Sequence, residues 1–64
     1  MDNYPYTNEF YQNGWRFESY ADSLEDAIDE ADELHHRTGY AQRVVDAEGN
    51  EVYRTDGKSD FTNR

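Results

Sequence analysis

Two adjacent histidines, His35 and His36, and the run of carboxylates before them are the groups in this sequence with the chemistry to bind a metal or move a proton. Neighbouring residues on a helix point about 100° apart, so His35 and His36 cannot chelate one ion together. Asp32 and His36 stand at i, i+4 and could form one edge of a metal site. Zinc sites take three or four protein ligands, however, and the chain has no Cys to supply them. A half-buried His35, a solvated His36 and no bound metal are therefore expected. The segment Asp46-Ala47-Glu48-Gly49-Asn50-Glu51 has a superficial likeness to a calcium loop. It lacks acids at alternate positions before its glycine and the bidentate Glu such a loop ends on, and a hairpin turn accounts for the same residues. A Gly-rich phosphate loop, a G-x-S-x-G elbow and a Cys nucleophile are missing, and the one lysine is Lys58. General acid and base work needs paired carboxylates in a pocket that separates their pKa values. A chain of 64 residues is poorly suited to enclose one. Neither catalysis nor a cofactor is expected.

What remains is charge. Fifteen acids against six bases give a formal net charge of −9, and hydrophobic residues make up 34% of the chain. One thin-cored domain over residues 1–55 is expected, with residues 56–64, anchored only by Phe61, as a flexible tail. Much of the apolar content is aromatic, with one Trp, six Tyr and three Phe, and each ring buries roughly 150–250 Å². The absence of Cys suits a reducing cytoplasm, and no apolar run approaches the roughly 20 residues of a membrane span. The charge repels nucleic acid and anionic lipid, favours a basic protein partner, and disfavours self-association, so a monomer is expected.

Stepwise along the chain, the elements read as strand, strand, helix, strand, strand, an α+β fold in which a small antiparallel sheet carries one amphipathic helix on one face. Asn13-Gly14 is the pair favoured in a two-residue type I′ turn. Folding there pairs Gln12 with Trp15 and Phe10 with Phe17, so Phe10, Trp15 and Phe17 are expected to form a buried patch with Tyr6 and Asn8 on the same face. The opposite, polar face carries Glu9, Tyr11, Arg16, Glu18 and Tyr20, with Glu9 set against Glu18. Pro5 lacks an N–H donor and precedes the pairing. Ser23 as N-cap, Asp26 three residues later and Gly39 as terminator place a helix at Leu24 to Thr38. Leu24, Ala27, Ile28, Ala31 and Leu34 fall in an apolar stripe of about 120°, with His35 also on the stripe and His36 among the acids. Tyr40 to Asp46 and Glu51 to Arg54 read as the second hairpin, turning through Ala47-Glu48-Gly49-Asn50 with a positive φ at Gly49.

The rest of the helix circumference is acidic. Asp22, Glu25, Asp26, Asp29, Glu30, Asp32 and Glu33 make seven of the twelve residues from 22 to 33, with no base among them. The i, i+4 pairs Glu25/Asp29, Asp26/Glu30 and Asp29/Glu33 each oppose the helix by roughly 0.2–0.5 kcal/mol, while Glu33/Arg37 supports it. Seven charges over about 18 Å of axis, at about 1.5 Å per residue, give a linear density comparable to that of DNA, which carries one charge per 1.7 Å or so as a duplex and one per 3.4 Å or so on each strand.

In size, acidity and lack of catalytic motifs the chain resembles the small acidic inhibitors that phages and mobile elements deploy against host defence, the anti-CRISPR and anti-restriction DNA mimics. That resemblance implies a non-catalytic protein that docks these seven acids on the Lys/Arg-rich channel of a CRISPR effector or restriction enzyme, in the host cytoplasm, and blocks the channel that holds DNA. Two other readings stay open. One is an interaction adaptor that uses exposed Tyr residues such as Tyr40 and Tyr53 or a sheet edge. The other is an acidic surface that serves solubility alone, as in halophile proteins.

Overall fold

The structure, a computed structural model, describes residues 4–55. The tail expected at residues 56–64 lies outside the described residues. Five elements follow in chain order: β1 (Tyr6–Tyr11), β2 (Trp15–Ala21), α1 (Leu24–Thr38), β3 (Gln42–Asp46) and β4 (Glu51–Arg54). The strands form one antiparallel sheet of order β2-β1-β3-β4, with the two hairpins joined along β1 and β3. The fold is α+β, as the order of the elements implies.

The helix begins and ends where its punctuation places it. Ser23 Oγ accepts the Asp26 N–H at 3.2 Å, and Gly39, at φ 82°, donates its N–H to the His35 carbonyl. Left-handed φ is accessible to glycine at little steric cost, which is why the helix stops there. At the second turn, Asp46 Oδ1 accepts the N–H groups of Glu48 and Asn50, both at 2.9 Å, and Gly49 takes φ 87°. Above all the Asn50 N–H, and then that of Glu48, hold the Asp46 carboxyl below the ordinary 3.8, with desolvation opposing in part. The third strand starts at Gln42 and not at Tyr40. Ahead of it the Ala41 carbonyl accepts the Tyr11 N–H, and Gln12 Nε2 donates to the Tyr40 hydroxyl.

The first hairpin departs from the expected register. Tyr11 pairs with Trp15, so the loop holds three residues, Gln12, Asn13 and Gly14, with positive φ at Asn13 (61°) and Gly14 (123°). Further along, Glu9 pairs with Phe17 but Asn8 pairs with Ser19, which leaves Glu18 as the extra residue of a β-bulge. The expected pairs Gln12/Trp15 and Phe10/Phe17 do not form, and Glu9 does not face Glu18. A one-residue slip moves side chains to the other face. Trp15 and Phe17 therefore lie with Glu9 and Tyr11 on the side away from the helix, and the bulge brings Tyr20 round to join them. The face expected to be polar is the aromatic one.

The core sits between α1 and the other side of the sheet. Its buried apolar residues are small: Ala27, Ala31 and Val44, with Tyr6, Ala21 and Tyr53 packed against them. Polar side chains fill the rest. Asn8 is fully buried and donates from Nδ2 to the Ala27 carbonyl at 2.8 Å, tying β1 to the helix. Gln42 is buried beside it in the same layer, and its N–H and carbonyl both engage the Thr55 hydroxyl. Leu24, placed on the apolar stripe by its spacing, sits at the helix entrance and is 37% exposed.

Candidate acidic docking surface

The helix carries its charges where its periodicity requires. With Ala27 and Ala31 pressed on the sheet, Asp26, Asp29, Glu30 and Glu33 fall within an arc of about 100° on the side toward β2. Together with Asp22, just before the cap, they line an open groove of about 390 Å³ whose other wall is Tyr20 and Ala21 of that edge strand. Ser19, also on β2, donates from its hydroxyl to Glu30 Oε2 at 3.4 Å across the groove.

Five of the seven acids singled out by the sequence are thus brought together, and two are not. Asp32 turns toward β4, where it is half-buried and accepts a hydrogen bond from the Tyr53 hydroxyl at 2.6 Å. Glu25 is exposed and lies outside the groove. The groove wall formed by Tyr20 and Ala21 was not legible in the sequence, because it depends on the bulge at Glu18.

Compensation of this charge is sparse. Arg37 pairs with Glu33 one turn on, and both side chains are exposed. Among the described residues no base forms an ion pair with Asp22, Asp26, Asp29 or Glu30. The bases on strands are elsewhere. Arg43 bonds Glu9 at 2.7 Å and Glu51 at 3.4 Å and lies over the Trp15 ring at 4.5 Å, while Arg54 bonds Glu51 at 3.0 Å. Arg16 donates to the Gln12 carbonyl. Positive charge is held on the far side of the sheet or in the first hairpin loop, and the negative field is left to the helix.

The two histidines do not converge. Both are exposed, which corrects the expectation of a half-buried His35: it falls on the stripe but in the last turn of the helix, past the buried Ala27 and Ala31. There His35 Nδ1 lies 2.9 Å from the Tyr40 carbonyl. Among the described residues no group of three or more His, Cys, Asp or Glu is placed to hold a metal ion, and no helix is long and apolar enough to cross a membrane. No family model matches the chain, and neither a curated protein nor a solved structure does.

Proposed function

We propose that this protein is a non-catalytic, charge-mimicking inhibitor that occupies the basic nucleic-acid channel of a host-defence complex, of the anti-CRISPR or anti-restriction kind, in the cytoplasm of the host. The observation that carries this reading is the alignment of Asp22, Asp26, Asp29, Glu30 and Glu33 along one groove in which, among the described residues, Glu33 alone is ion-paired to a base, Arg37. Spread over about 17 Å of helix axis at about 1.5 Å per residue, these five charges stand roughly one per 3–4 Å, close to the spacing of phosphates along one DNA strand, about 3.4 Å. A channel built to exchange counterions for phosphates meets the same pattern here.

The test is a mobility-shift assay in which a purified CRISPR effector or restriction enzyme is mixed with this protein before labelled target duplex is added. Stoichiometric loss of the DNA complex is expected. The variant Asp29→Lys, Glu30→Lys, Glu33→Lys should keep the helical circular dichroism and lose the block. Unchanged blocking by that variant would reject the acidic groove as the binding surface and leave acidity to a role in solubility.

A further inference from the structure

The side of the sheet away from α1 presents a connected layer of rings. Tyr4 stacks on Tyr20 with centroids 4.9 Å apart, Tyr20 meets Phe17 at 5.0 Å, and Tyr11 meets Trp15 edge-on at 5.3 Å. Phe17 is 56% exposed and Tyr20 59%, whereas the buried hydrophobic residues of the core are Ala27, Ala31, Val44 and Val45. Alanine and valine make up the buried apolar core while Tyr4, Tyr11, Phe17 and Tyr20 stand exposed together, and a contiguous exposed apolar patch of this kind marks an interaction surface.

We propose that this face is a homodimer interface, on which a second copy packs sheet against sheet with both acidic helices turned outward. Charge selects the occupant. Glu9, Arg43, Glu51 and Arg54 are linked there in ion pairs, two acids with two bases, so these four charges balance one another although the chain carries −9. The monomer expected from net charge assumes that repulsion acts on every surface. Segregation of the acids to the helix side removes it from this face, which leaves the rings free to meet their own copies across a two-fold axis. A basic partner finds Glu9 and Glu51 already matched by bases here. Single-stranded nucleic acid, which stacks on rings of this kind, also needs a cationic groove, and Arg43 and Arg54 are already engaged by carboxylates.

Area is consistent with a dimer of modest affinity. Tyr4, Tyr11, Phe17 and Tyr20 are each 40% to 59% exposed. At roughly 150–250 Å² per ring residue they present on the order of 400 Å², about half of the ~800 Å² per partner in a standard interface. Trp15 and Thr7, both half-buried, and the stems of the ion-pair residues lie on the same face and extend it. Face-to-face sheets pack about 10 Å apart, which closes this surface with Tyr20, also a wall of the acidic groove, at its rim and both acidic helices outside it.

Sedimentation equilibrium on the full chain, from low micromolar to several hundred micromolar, tests the proposal together with Trp15 fluorescence over the same series. A mass approaching twice 7.6 kDa is expected, with a blue shift of Trp15 emission that tracks it. Phe17→Thr with Tyr11→Thr, which adds no charge and keeps residues that favour strands, should weaken the dimer at least about tenfold and leave the far-ultraviolet spectrum unchanged. The Lys-substituted helix variant should dimerise as the natural chain does. A monomer at every concentration, an unweakened dimer in the Phe17/Tyr11 variant, or loss of the dimer in the helix variant would overturn the proposal. So would a monomer whose Trp15 is quenched by oligo-dT, since that makes the face a base-stacking platform. The Trp15 readout uses the unaltered chain, so the question is decided even if the variant fails to fold.

Discussion

On one side of the sheet this molecule buries alanines under a helix and exposes like charges; on the other it exposes aromatic rings and pairs opposite charges. The difference teaches that the acidity of the helix is not a shortage of bases. Arg43 and Arg54 are available, and the fold commits them to Glu9 and Glu51 on the open face. On the helix, Arg37 pairs with Glu33 near the C-terminal end. Three like-charge i, i+4 pairs are left opposing helix formation by roughly 0.2–0.5 kcal/mol each. Lys at position 29 would relieve two of the three, so the arrangement is costly to stability.

The comparison can be broken most sharply at the groove. Asp29→Lys, Glu30→Lys, Glu33→Lys should raise the concentration needed to block DNA binding on the order of 100-fold, from loss of the pattern that displaces phosphate contacts. Urea unfolding should show little loss of stability, because two of the like-charge pairs are relieved. The next largest effect lies between the two faces. Asn8→Ala removes the hydrogen bond to the Ala27 carbonyl and opens a cavity at a fully buried position, and should cost about 2–3 kcal/mol in urea. Far-ultraviolet and Trp15 signals should fall together, since both faces rest on β1. Gly39→Ala is a milder break. Nothing lies within 4 Å of the added Cβ, so only the left-handed φ is strained, and a cost of about 1 kcal/mol is expected from thermal unfolding. Tyr53→Phe removes the hydroxyl that holds Asp32 toward β4 and should cost about 1 kcal/mol while leaving DNA blocking intact, because Asp32 lies outside the groove.

The smallest effect is a pH dependence of the second hairpin. The folded Asp46 carboxyl titrates below the ordinary 3.8, so its contribution is fully present above that value. It is lost as pH falls through the lower folded value. Asp46→Asn should flatten that part of an acid titration of stability and remove the carboxylate's small contribution at neutral pH.

Much of this architecture was legible in the residues. Ser23, Asp26 and Gly39 mark the helix because capping chemistry is local, and Glu51 to Arg54 after the Gly49 turn marks β4. The five groove acids were legible as charges on a helical wheel. The face of β1 that carries Tyr6, Asn8 and Phe10 was also legible, and the faces of β2 were not. Asn13-Gly14 serves a two-residue turn and a three-residue loop equally well, and the choice rests on pairing with β3, where Glu9 meets Arg43 and Asn8 meets Val44. The bulges at Glu18 and Val52 likewise answer to twist and to neighbouring strands, which no local residue pattern encodes. For that reason a buried Asn8 and Gln42, and an exposed Phe17, run against the hydrophobic pattern of their own segments.

The measurement that bears most directly on the central claim is the salt dependence of blocking, made with one effector and one labelled duplex at two ionic strengths. If the groove substitutes for phosphates, the affinity of the natural chain should fall on the order of tenfold to a hundredfold between about 50 and about 200 mM salt, and the Lys-substituted helix should not block at either. Equal blocking at both salts, or blocking by the substituted helix, would contradict the account.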